Sequence, residues 1–257
     1  MESDGRIALI TGGAGGLGLA SAKRLAAKGI RIALADIGPD AARSHAAELP
    51  GEGHAGFALD VSDEAAVAAL FDTIERDMGP IAILANFAGV LRAGDGGFLI
   101  PDLTLAEWNG VFAVNSSGAF ILTREMARRR TAQPVDHGRI VLVSSAGAQI
   151  GGYQGSAAYF ASKGAVLTLV KAAARELAPL GITVNGIAPG PIDTPMLRAA
   201  TAARGGSESG YTGMSLVPIG RIGTSEELAA ATDYLVSKDA GFVTGSVMDV
   251  NGGLRMQ

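Results

Sequence analysis

The sequence predicts an α/β protein built on a doubly wound parallel sheet with helices on both faces. Short apolar runs alternate with longer, Ala-rich amphipathic stretches, and a glycine-rich turn follows the first run directly. Continuous apolar runs are typical of strands buried on both faces of a parallel sheet, and their alternation with helical patterns is that of βαβ units. The chain has no visible linker or repeat, so we expect a single domain over residues 1–257.

The elements follow in order along the chain. The predicted strands are the apolar runs at residues 7–10, 30–35, 56–59, 81–85, 140–143, 182–187 and 246–250. Capping-type residues stand before several amphipathic stretches, namely Ser62-Asp63-Glu64, Thr104 with Glu107, and Thr224 with Glu227. The last two pairs have the spacing of capping boxes and predict helix starts.

One segment, residues 196–220, departs from this alternation, because it contains Gly205-Gly206 and small polar residues without a strand pattern. Insertions after the carboxyl end of a strand lie where open α/β sheets bind ligands. The alternatives are an ordinary surface loop and a mobile lid over a substrate, and we favour the lid.

Composition limits the classes of function. The formal net charge of -4 gives no general attraction to nucleic acid or anionic membranes. The basic run Arg128-Arg129-Arg130 has no aromatic platform beside it and is interpreted as a solvated helix end. The chain has no cysteine for a disulfide or thiolate metal site, no apolar run of bilayer length and no signal peptide pattern. We therefore expect a cytoplasmic protein that binds no metal, nucleic acid or membrane.

A glycine-rich turn opens the first predicted helix and indicates a dinucleotide site. The run from Thr11 to Gly18 includes Gly12, Gly16 and Leu17, with a strand before it and a helix after it. Glycine lets backbone amides approach a pyrophosphate, and the positive end of the helix favours its charge. This context distinguishes the run from a plain turn.

Acidic residues at the ends of the second and third strands predict how an adenosine is held. Asp36, followed by Ile37, can accept hydrogen bonds from a ribose diol and would repel a 2′-phosphate, which favours NAD over NADP. No Arg or Lys occurs in residues 37–40. Asp60-Val61 is suited to the edge and face of adenine, although Asp60 also lies just ahead of a helix start.

Tyr159 is followed one helical turn later by Lys163, so the two side chains share a helix face. A free tyrosine titrates near ~10. An adjacent ammonium favours the phenolate and brings the phenol into the range of acid/base catalysis. The spacing also occurs on solvated helices, so its interpretation depends on the rest of the chain.

The ordered set of motifs resembles that of the short-chain dehydrogenase/reductase family, of the classical type, over essentially the whole chain. The motifs are Thr11-Gly12 to Gly18, Asp60, Asn86-Phe87-Ala88-Gly89, Asn115, Ser144-Ser145, Tyr159 with Lys163, Asn185, and Pro189-Gly190. The resemblance implies a Rossmann-type sheet of seven parallel strands and a nicotinamide cofactor that Asn86, Ala88 and Gly89 help to hold. It also implies hydride transfer between that cofactor and an alcohol or carbonyl.

The resemblance assigns roles to individual side chains. Tyr159 would be the general acid/base, and Lys163 would lower the pKa of Tyr159 and hold the nicotinamide ribose. Ser145 would donate a hydrogen bond to the substrate oxygen. Asn115 would hold a water that relays the proton to solvent, although taken alone it is an ordinary polar residue within a helix.

Two positions depart from the family pattern. Phe87 stands where a second Asn is usual in the turn after the fourth strand, which removes a side-chain hydrogen bond from the adenosine wall. The stretch from Ser145 to Tyr159 is slightly longer than usual, so counting alone does not separate Ser144 from Ser145. Direct alignment of residues 146–152 selects Ser145.

A loop after the sixth strand and several pocket walls complete the expected site. Pro189, Gly190, Ile192 and Thr194 resemble the family's loop over the nicotinamide, where Ile192 would meet the carboxamide and Thr194 an amide or a phosphate. Loops should converge at the carboxyl ends of the strands, which gives as substrate walls Leu91, Ser145, Gln149, Tyr153 and Met196. These walls are mainly apolar and favour a secondary alcohol or ketone over a carboxylate or phosphate.

The sequence thus predicts an NAD-dependent oxidoreductase for a small-molecule secondary alcohol or ketone. One alternative is a 3-oxoacyl-thioester (acyl carrier protein) reductase, which by the resemblance normally uses NADPH and a basic patch; Asp36 argues against it. Another is a catalytically silent NAD-binding module, which would be expected to lack one of the catalytic side chains. The resemblance further implies a homotetramer assembled through helices at residues 108–130 and 159–180 and the last strand.

Overall fold

The computed structural model describes residues 4–92, 99–152, 156–202 and 213–256. Within these ranges seven strands form one parallel sheet in the order β3-β2-β1-β4-β5-β6-β7. The strands are β1 Ile7–Thr11, β2 Arg31–Asp36, β3 Ala55–Ala58, β4 Ile81–Asn86, β5 Gly138–Val143, β6 Ile182–Pro189 and β7 Val247–Val250. The strand order reverses beside β1, which is the switch point where doubly wound sheets bind ligands. The predicted fold class is confirmed.

The observed strands begin and end within two residues of the predicted runs. In β1, Ile7 and Leu9 pack into the core on one face of the sheet, and Ala8 and Ile10 pack into the core on the other. A strand covered on both faces has no polar side, so an unbroken apolar run was a sufficient signal.

Helices cover both faces of the sheet. They are α1 Gly16–Ala26, α2 Pro39–Ala47, α3 Glu64–Asp77, α4 Leu105–Phe112, α5 Gly118–Ala132, α6 Ala146–Ile150, α7 Ala157–Leu177, α8 Pro195–Ala202 and α9 Ser225–Val236. Among the described residues, short 3₁₀ turns lie at Ile100–Asp102, Ala178–Leu180 and Met214–Leu216. Phe71 of α3 and Leu122 of α5 belong to the core on one face, whereas Leu25 of α1 and Leu228 of α9 belong to the core on the other.

The predicted helix starts are present. The side chain of Asp63 caps α3 by accepting from the amides of Ala65 and Ala66, and Thr104 caps α4 by accepting from the Glu107 amide. Thr224 and Glu227 form a reciprocal capping box at α9. Each cap satisfies amides that the first helical turn leaves without an intrahelical acceptor.

The long helix predicted over residues 108–130 is one helical path with an internal irregularity. A π-helical segment, Ala113–Ser117, joins α4 to α5 and contains the buried Asn115. Such insertions are rare and occur frequently at functional sites, because they displace a side chain from its regular helical position.

The interpretation of the basic run on α5 as a solvated helix end is wrong for two of its three residues, because Arg130 is buried and Arg129 is partly buried and paired. Arg130 is 1% exposed and pairs with Glu75 of α3. Arg129 pairs with both Asp72 and Glu75. The sequence did not show that an acidic face of α3 packs against this run, and only Arg128 is exposed.

The segment predicted as a lid is described in part. It begins with α8 and ends beyond the 3₁₀ turn Met214–Leu216, while residues 203–212 lie outside the described ranges. A mobile lid therefore stays a prediction. In the part of the chain that the structure describes, every helix is too short or too polar to cross a bilayer.

Candidate active site

Glycines bring the turn after β1 against the turn after β4. Gly12 has φ +65°, and a Cβ added to it would lie 2.6 Å from the backbone nitrogen of Ala88. A Cβ at Gly18 would overlap the carbonyl oxygen of Gly12. Both positions therefore require glycine, one for its backbone angle and both for close approach.

Asn86 fastens these two turns together. Its Oδ1 accepts from Thr11 Oγ1 at 2.7 Å and from the Ala88 amide at 3.1 Å. The Phe87 amide donates to the Thr11 carbonyl at 2.9 Å. Asn86 is 3% exposed and is not among the described residues that line the adjoining cavity. The predicted cofactor contact of Asn86 is therefore indirect in this structure, through the turn that it holds.

The turns enclose a cavity of about 370 Å³, here called the glycine-turn cavity. It brings together most of the predicted cofactor residues, which are Gly12, Gly16, Leu17, Gly18, Asp36, Ile37, Asp60, Val61, Ala88, Gly89 and Thr194. The N-terminus of α1 opens at this cavity, with Gly15 in the capping position. The backbone amides and the positive end of the 11-residue helix fit an anionic pyrophosphate there.

Two carboxylates lie at the far side of the glycine-turn cavity. Asp36 ends β2, and its Oδ2 accepts from the Ala14 amide at 2.9 Å. Asp60 accepts from the Ser62 amide and hydroxyl through Oδ1. The glycine turn thus fixes one carboxylate oxygen of Asp36, and the loop that follows β3 fixes one carboxylate oxygen of Asp60. Asp36 lines this cavity, and its contact with an adenosine ribose stays a prediction.

A second cavity of about 210 Å³, here called the tyrosine cavity, adjoins the first. Predicted residues in its wall are Leu91, Ser145, Tyr159, Lys163, Pro189, Gly190, Ile192, Thr194 and Met196. Five residues line both cavities, namely Leu17, Phe87, Gly89, Thr194 and Met196. The two spaces are therefore neighbours at the carboxyl edge of the sheet.

The hydroxyls of Ser144 and Ser145 have different partners, although both residues line the tyrosine cavity. Ser144 is 1% exposed and donates to the carbonyl of Lys163 at 2.7 Å, which ties the end of β5 to α7. Ser145 accepts from the Gly147 amide at 3.1 Å and hydrogen-bonds with the side chain of Tyr159. The hydroxyl beside Tyr159 is that of Ser145.

Burial raises the pKa of Tyr159, and the hydrogen bond from Ser145 opposes that rise by favouring the phenolate. The expectation that Lys163 lowers this pKa stays a prediction. Lys163 is 5% exposed and donates through Nζ to the Val143 carbonyl at 2.9 Å. Burial lowers the pKa of Lys163 to about 8. At neutral pH the phenol therefore keeps its proton.

Asn115 connects the π-helical segment to the tyrosine. Its side chain accepts from the Val90 amide at 2.8 Å and donates to the Val90 carbonyl and to Ser162 Oγ, both at 2.9 Å. Ser162 in turn donates to the carbonyl of Tyr159 at 2.8 Å. A Cβ at Gly89 would lie 3.1 Å from Lys163 Nζ and 3.2 Å from Asn115 Oδ1. A side chain there would crowd both polar groups, so the loop passes close to Lys163 and Asn115.

The substrate walls differ in part from the expectation. Leu91 and Met196 line the tyrosine cavity, but Gln149 is not among its described lining residues. On α6, Gly147 and Ile150 face the cavity three positions apart, and Gln149 lies off that face. Tyr153 lies outside the described residues. Leu197 and Ala200 belong to the segment 196–220 that the sequence predicts as a lid, whereas three described lining residues had no sequence signal, because they are ordinary apolar side chains from separate elements: Ile150, Phe160 and Leu254.

Comparison with known proteins identifies relatives over the full chain. A family model described as enoyl-(acyl carrier protein) reductase matches residues 12–255. The 3-oxoacyl-[acyl-carrier-protein] reductase FabG of Escherichia coli is 35% identical over 257 residues, 100% of both chains. D-threitol dehydrogenase of Mycolicibacterium smegmatis is 36% identical over 97% of this chain and 93% of its own. The 2,3-dihydro-2,3-dihydroxybenzoate dehydrogenase of Bacillus subtilis is 37% identical over 97% and 96%.

Proposed function

Because this chain belongs to the short-chain dehydrogenase/reductase family of oxidoreductases, we propose that it transfers a hydride between NAD(H) and a secondary alcohol or its ketone. Tyr159 is the general acid/base in this proposal. The observation that carries it is the hydrogen-bonded pair of Ser145 and Tyr159 in the wall of the tyrosine cavity. That cavity shares a wall with a second space suited to a dinucleotide.

A bound nicotinamide cofactor would supply the hydride for reduction of a ketone, or take it up when an alcohol is oxidised. Tyr159 gives its proton to the ketone oxygen, or takes the proton of the alcohol in the reverse direction. The Ser145 hydroxyl donates a hydrogen bond to the same oxygen and stabilises the negative charge that develops there. The raised pKa of Tyr159 keeps the phenol protonated at neutral pH, so ketone reduction has its acid in place.

Lys163 and Asn115 support the tyrosine in different ways. Lys163 would hold the nicotinamide ribose, because its ammonium lies against Gly89, which lines both cavities. Asn115 would serve the proton relay from the π-helical segment. Its contacts with Val90 and Ser162 fix the loop after β4 and the first turns of α7.

The preference for NAD rests on the carboxylate of Asp36. It lines the glycine-turn cavity, and its fixed Oδ2 leaves Oδ1 as an acceptor for a ribose hydroxyl. A phosphate at the same ribose would meet the negative charge of Asp36 at close range. We therefore propose that NADP binds less tightly than NAD.

The substrate proposed is small and of modest polarity. The lining of the tyrosine cavity is mainly apolar, and Lys163 is the one charged side chain among its described members. An alcohol or ketone with an apolar body would remove this wall from water, whereas a carboxylate would be buried there without a second cation.

A second candidate is reduction of a 3-oxoacyl thioester on an acyl carrier protein. It is favoured by the similarity to the 3-oxoacyl-[acyl-carrier-protein] reductase of Escherichia coli. The charges on α5 do not favour it, because Arg129 and Arg130 are engaged by acidic residues of α3. A homotetramer and a cytoplasmic location stay part of the proposal, and sedimentation of the purified protein as a monomer would remove the first.

The test is a panel of secondary alcohols, polyols, hydroxysteroids and 3-hydroxyacyl thioesters, each oxidised in parallel with NAD and with NADP. We expect turnover of one class, with NAD preferred, and the class names the substrate. Preferred turnover of the thioesters with NADP would replace the first candidate with the second. Silence across the panel with NADH binding intact would favour a catalytically silent module.

A further inference from the structure

The ring of Phe160 lies against two glycines, Gly147 within the short helix α6 and Gly152 just after it. A Cβ added at Gly147 would overlap Cε1 of the ring, and a Cβ at Gly152 would overlap Cζ. Gly147 and Phe160 both line the tyrosine cavity. The ring of Phe160 also meets the ring of Tyr159 edge to face, with centroids 5.5 Å apart and planes at 72°.

The same helix orients the serine hydroxyl. Ser145 caps α6, and its Oγ accepts from the amide of Gly147 at 3.1 Å. With one lone pair occupied by this amide, the hydroxyl proton is directed elsewhere, and Tyr159 is its side-chain partner. The position of Gly147 therefore influences how Ser145 meets Tyr159, and Gly147 rests directly on the Phe160 ring.

We propose that Phe160 is a positioning residue, which holds Gly147 and thereby aims the Ser145 hydroxyl at Tyr159, and that its ring limits substrate size in the tyrosine cavity. The effects on catalysis and on substrate size rest on the proposed function, whereas the packing of the Phe160 ring against Gly147 is independent of it. Phe160 directly follows the general acid/base in sequence and lies next to it in the cavity wall.

The ionisation of Tyr159 reports this arrangement without any substrate. Burial raises the pKa of Tyr159, and the hydrogen bond from Ser145 is the influence that opposes it. Lys163, on the same helix, is the charged group among the described residues lining the cavity. Misplacing Ser145 therefore raises the pKa of Tyr159 further, and alcohol oxidation, which needs the phenolate, shifts to higher pH.

The experiment compares Gly147→Ala, Phe160→Ala and the double variant by tyrosinate absorbance against pH. Each is measured again with Tyr159→Phe added, which isolates Tyr159 among the four tyrosines of the chain. We expect each single change to raise the titration midpoint of Tyr159 by roughly 0.5 to 1 pH unit, the size of one ordinary hydrogen bond. The midpoint of the double variant should shift no further than that of Phe160→Ala, because the methyl group added at position 147 then has no aromatic ring to overlap.

Matched controls separate this effect from general disturbance. Gly164→Ala adds a methyl on α7 with no atom within 4 Å, and Phe242→Ala removes a ring that is fully exposed. Neither should move the midpoint. Phe160→Leu keeps an apolar side chain against Gly147, so its midpoint should lie nearer to the wild type than that of Phe160→Ala.

Unchanged midpoints in folded Gly147→Ala and Phe160→Ala proteins, or additive shifts in the double variant, would overturn the proposal. The titration needs no turnover, so an inactive protein with the expected shifts would contradict the proposed function alone. In an active enzyme, Phe160→Ala should also lower KM for bulkier substrates of the same class relative to small ones. An unchanged ranking of substrates would remove the role in size selection.

Discussion

The two cavities are built from different parts of the chain. The glycine-turn cavity is formed mainly by the turns that follow β1, β2, β3 and β4, and where the first and the last of these turns meet, its shape depends on glycines packed against main-chain atoms. The tyrosine cavity adds side chains from α6, α7, α8 and the C-terminal segment to residues at the ends of β4, β5 and β6. The first cavity is held by the sheet, while the second depends also on how surface helices pack. We therefore expect changes in the first to act on cofactor binding, and changes in the second to act on chemistry and substrate choice.

The largest effect expected is that of Tyr159→Phe, which tests whether the tyrosine cavity performs the chemistry. Loss of the proton donor should lower kcat by about 10²- to 10⁴-fold, with NADH affinity nearly unchanged. Steady-state rates and NADH fluorescence titration check both parts. Tyr234→Phe, on a half-exposed side chain of α9, is the matched control. Turnover close to that of the wild type would contradict the assigned role.

The next effect separates the two serines. Ser145→Ala should lower kcat/KM by about 10²- to 10³-fold, because the developing oxyanion loses its donor. Ser144→Ala should keep most activity but reduce the free energy of unfolding by about 1 kcal/mol, through loss of the buried bond to the Lys163 carbonyl. Kinetics and urea denaturation of both variants give the comparison. The opposite pattern would exchange the serines.

Lys163 lies where the two cavities meet, and the burial of its ammonium predicts a pH-dependent loss in the free energy of unfolding. The drop in its pKa from 10.5 to about 8 means that the unfolded chain binds more protons between these values, so stability rises with pH through this window. Lys163→Met removes the buried charge and should raise the free energy of unfolding by about 3 kcal/mol relative to the wild type below pH 8. The gain should fade towards pH 10.5. A difference in unfolding free energy that does not change with pH would contradict this account.

The smallest effect tests the glycine-turn cavity. Asp36→Asn keeps an oxygen for the Ala14 amide but removes the negative charge. The ratio of kcat/KM for NAD over NADP should fall by about tenfold, the size of one modest charge interaction, while kcat with NAD changes little. An unchanged ratio would show that Asp36 does not meet the ribose.

The contrast between the cavities also explains what could be predicted from the sequence. Gly12 and Asp36 were identified because backbone geometry and strand order fix their neighbours, and a motif records both. The hydrogen bonds by which Asn86 joins two turns could not be predicted, because the position of an Asn in a motif does not show whether it contacts the backbone of a turn or a ligand.

The lining of the tyrosine cavity was predicted less completely, because a sequence motif does not record which side chains meet through tertiary packing. Phe160 and Leu254 are ordinary apolar residues whose meeting depends on tertiary packing. Gln149 was expected in the wall, but the 3.6-residue period of α6 presents Gly147 and Ile150 instead. The burial of Arg130 was missed because its acidic partner, Glu75, lies on another helix.

Direct hydride transfer at the junction of the two cavities is the central claim, and isotope transfer tests it. The best alcohol of the panel, carrying deuterium on its carbinol carbon, is oxidised with NAD, and the NADH formed is analysed by mass spectrometry. The account predicts that NADH carries the deuterium, at a rate that Tyr159→Phe abolishes. Unlabelled NADH, with the deuterium released to water, would contradict direct transfer from that carbon.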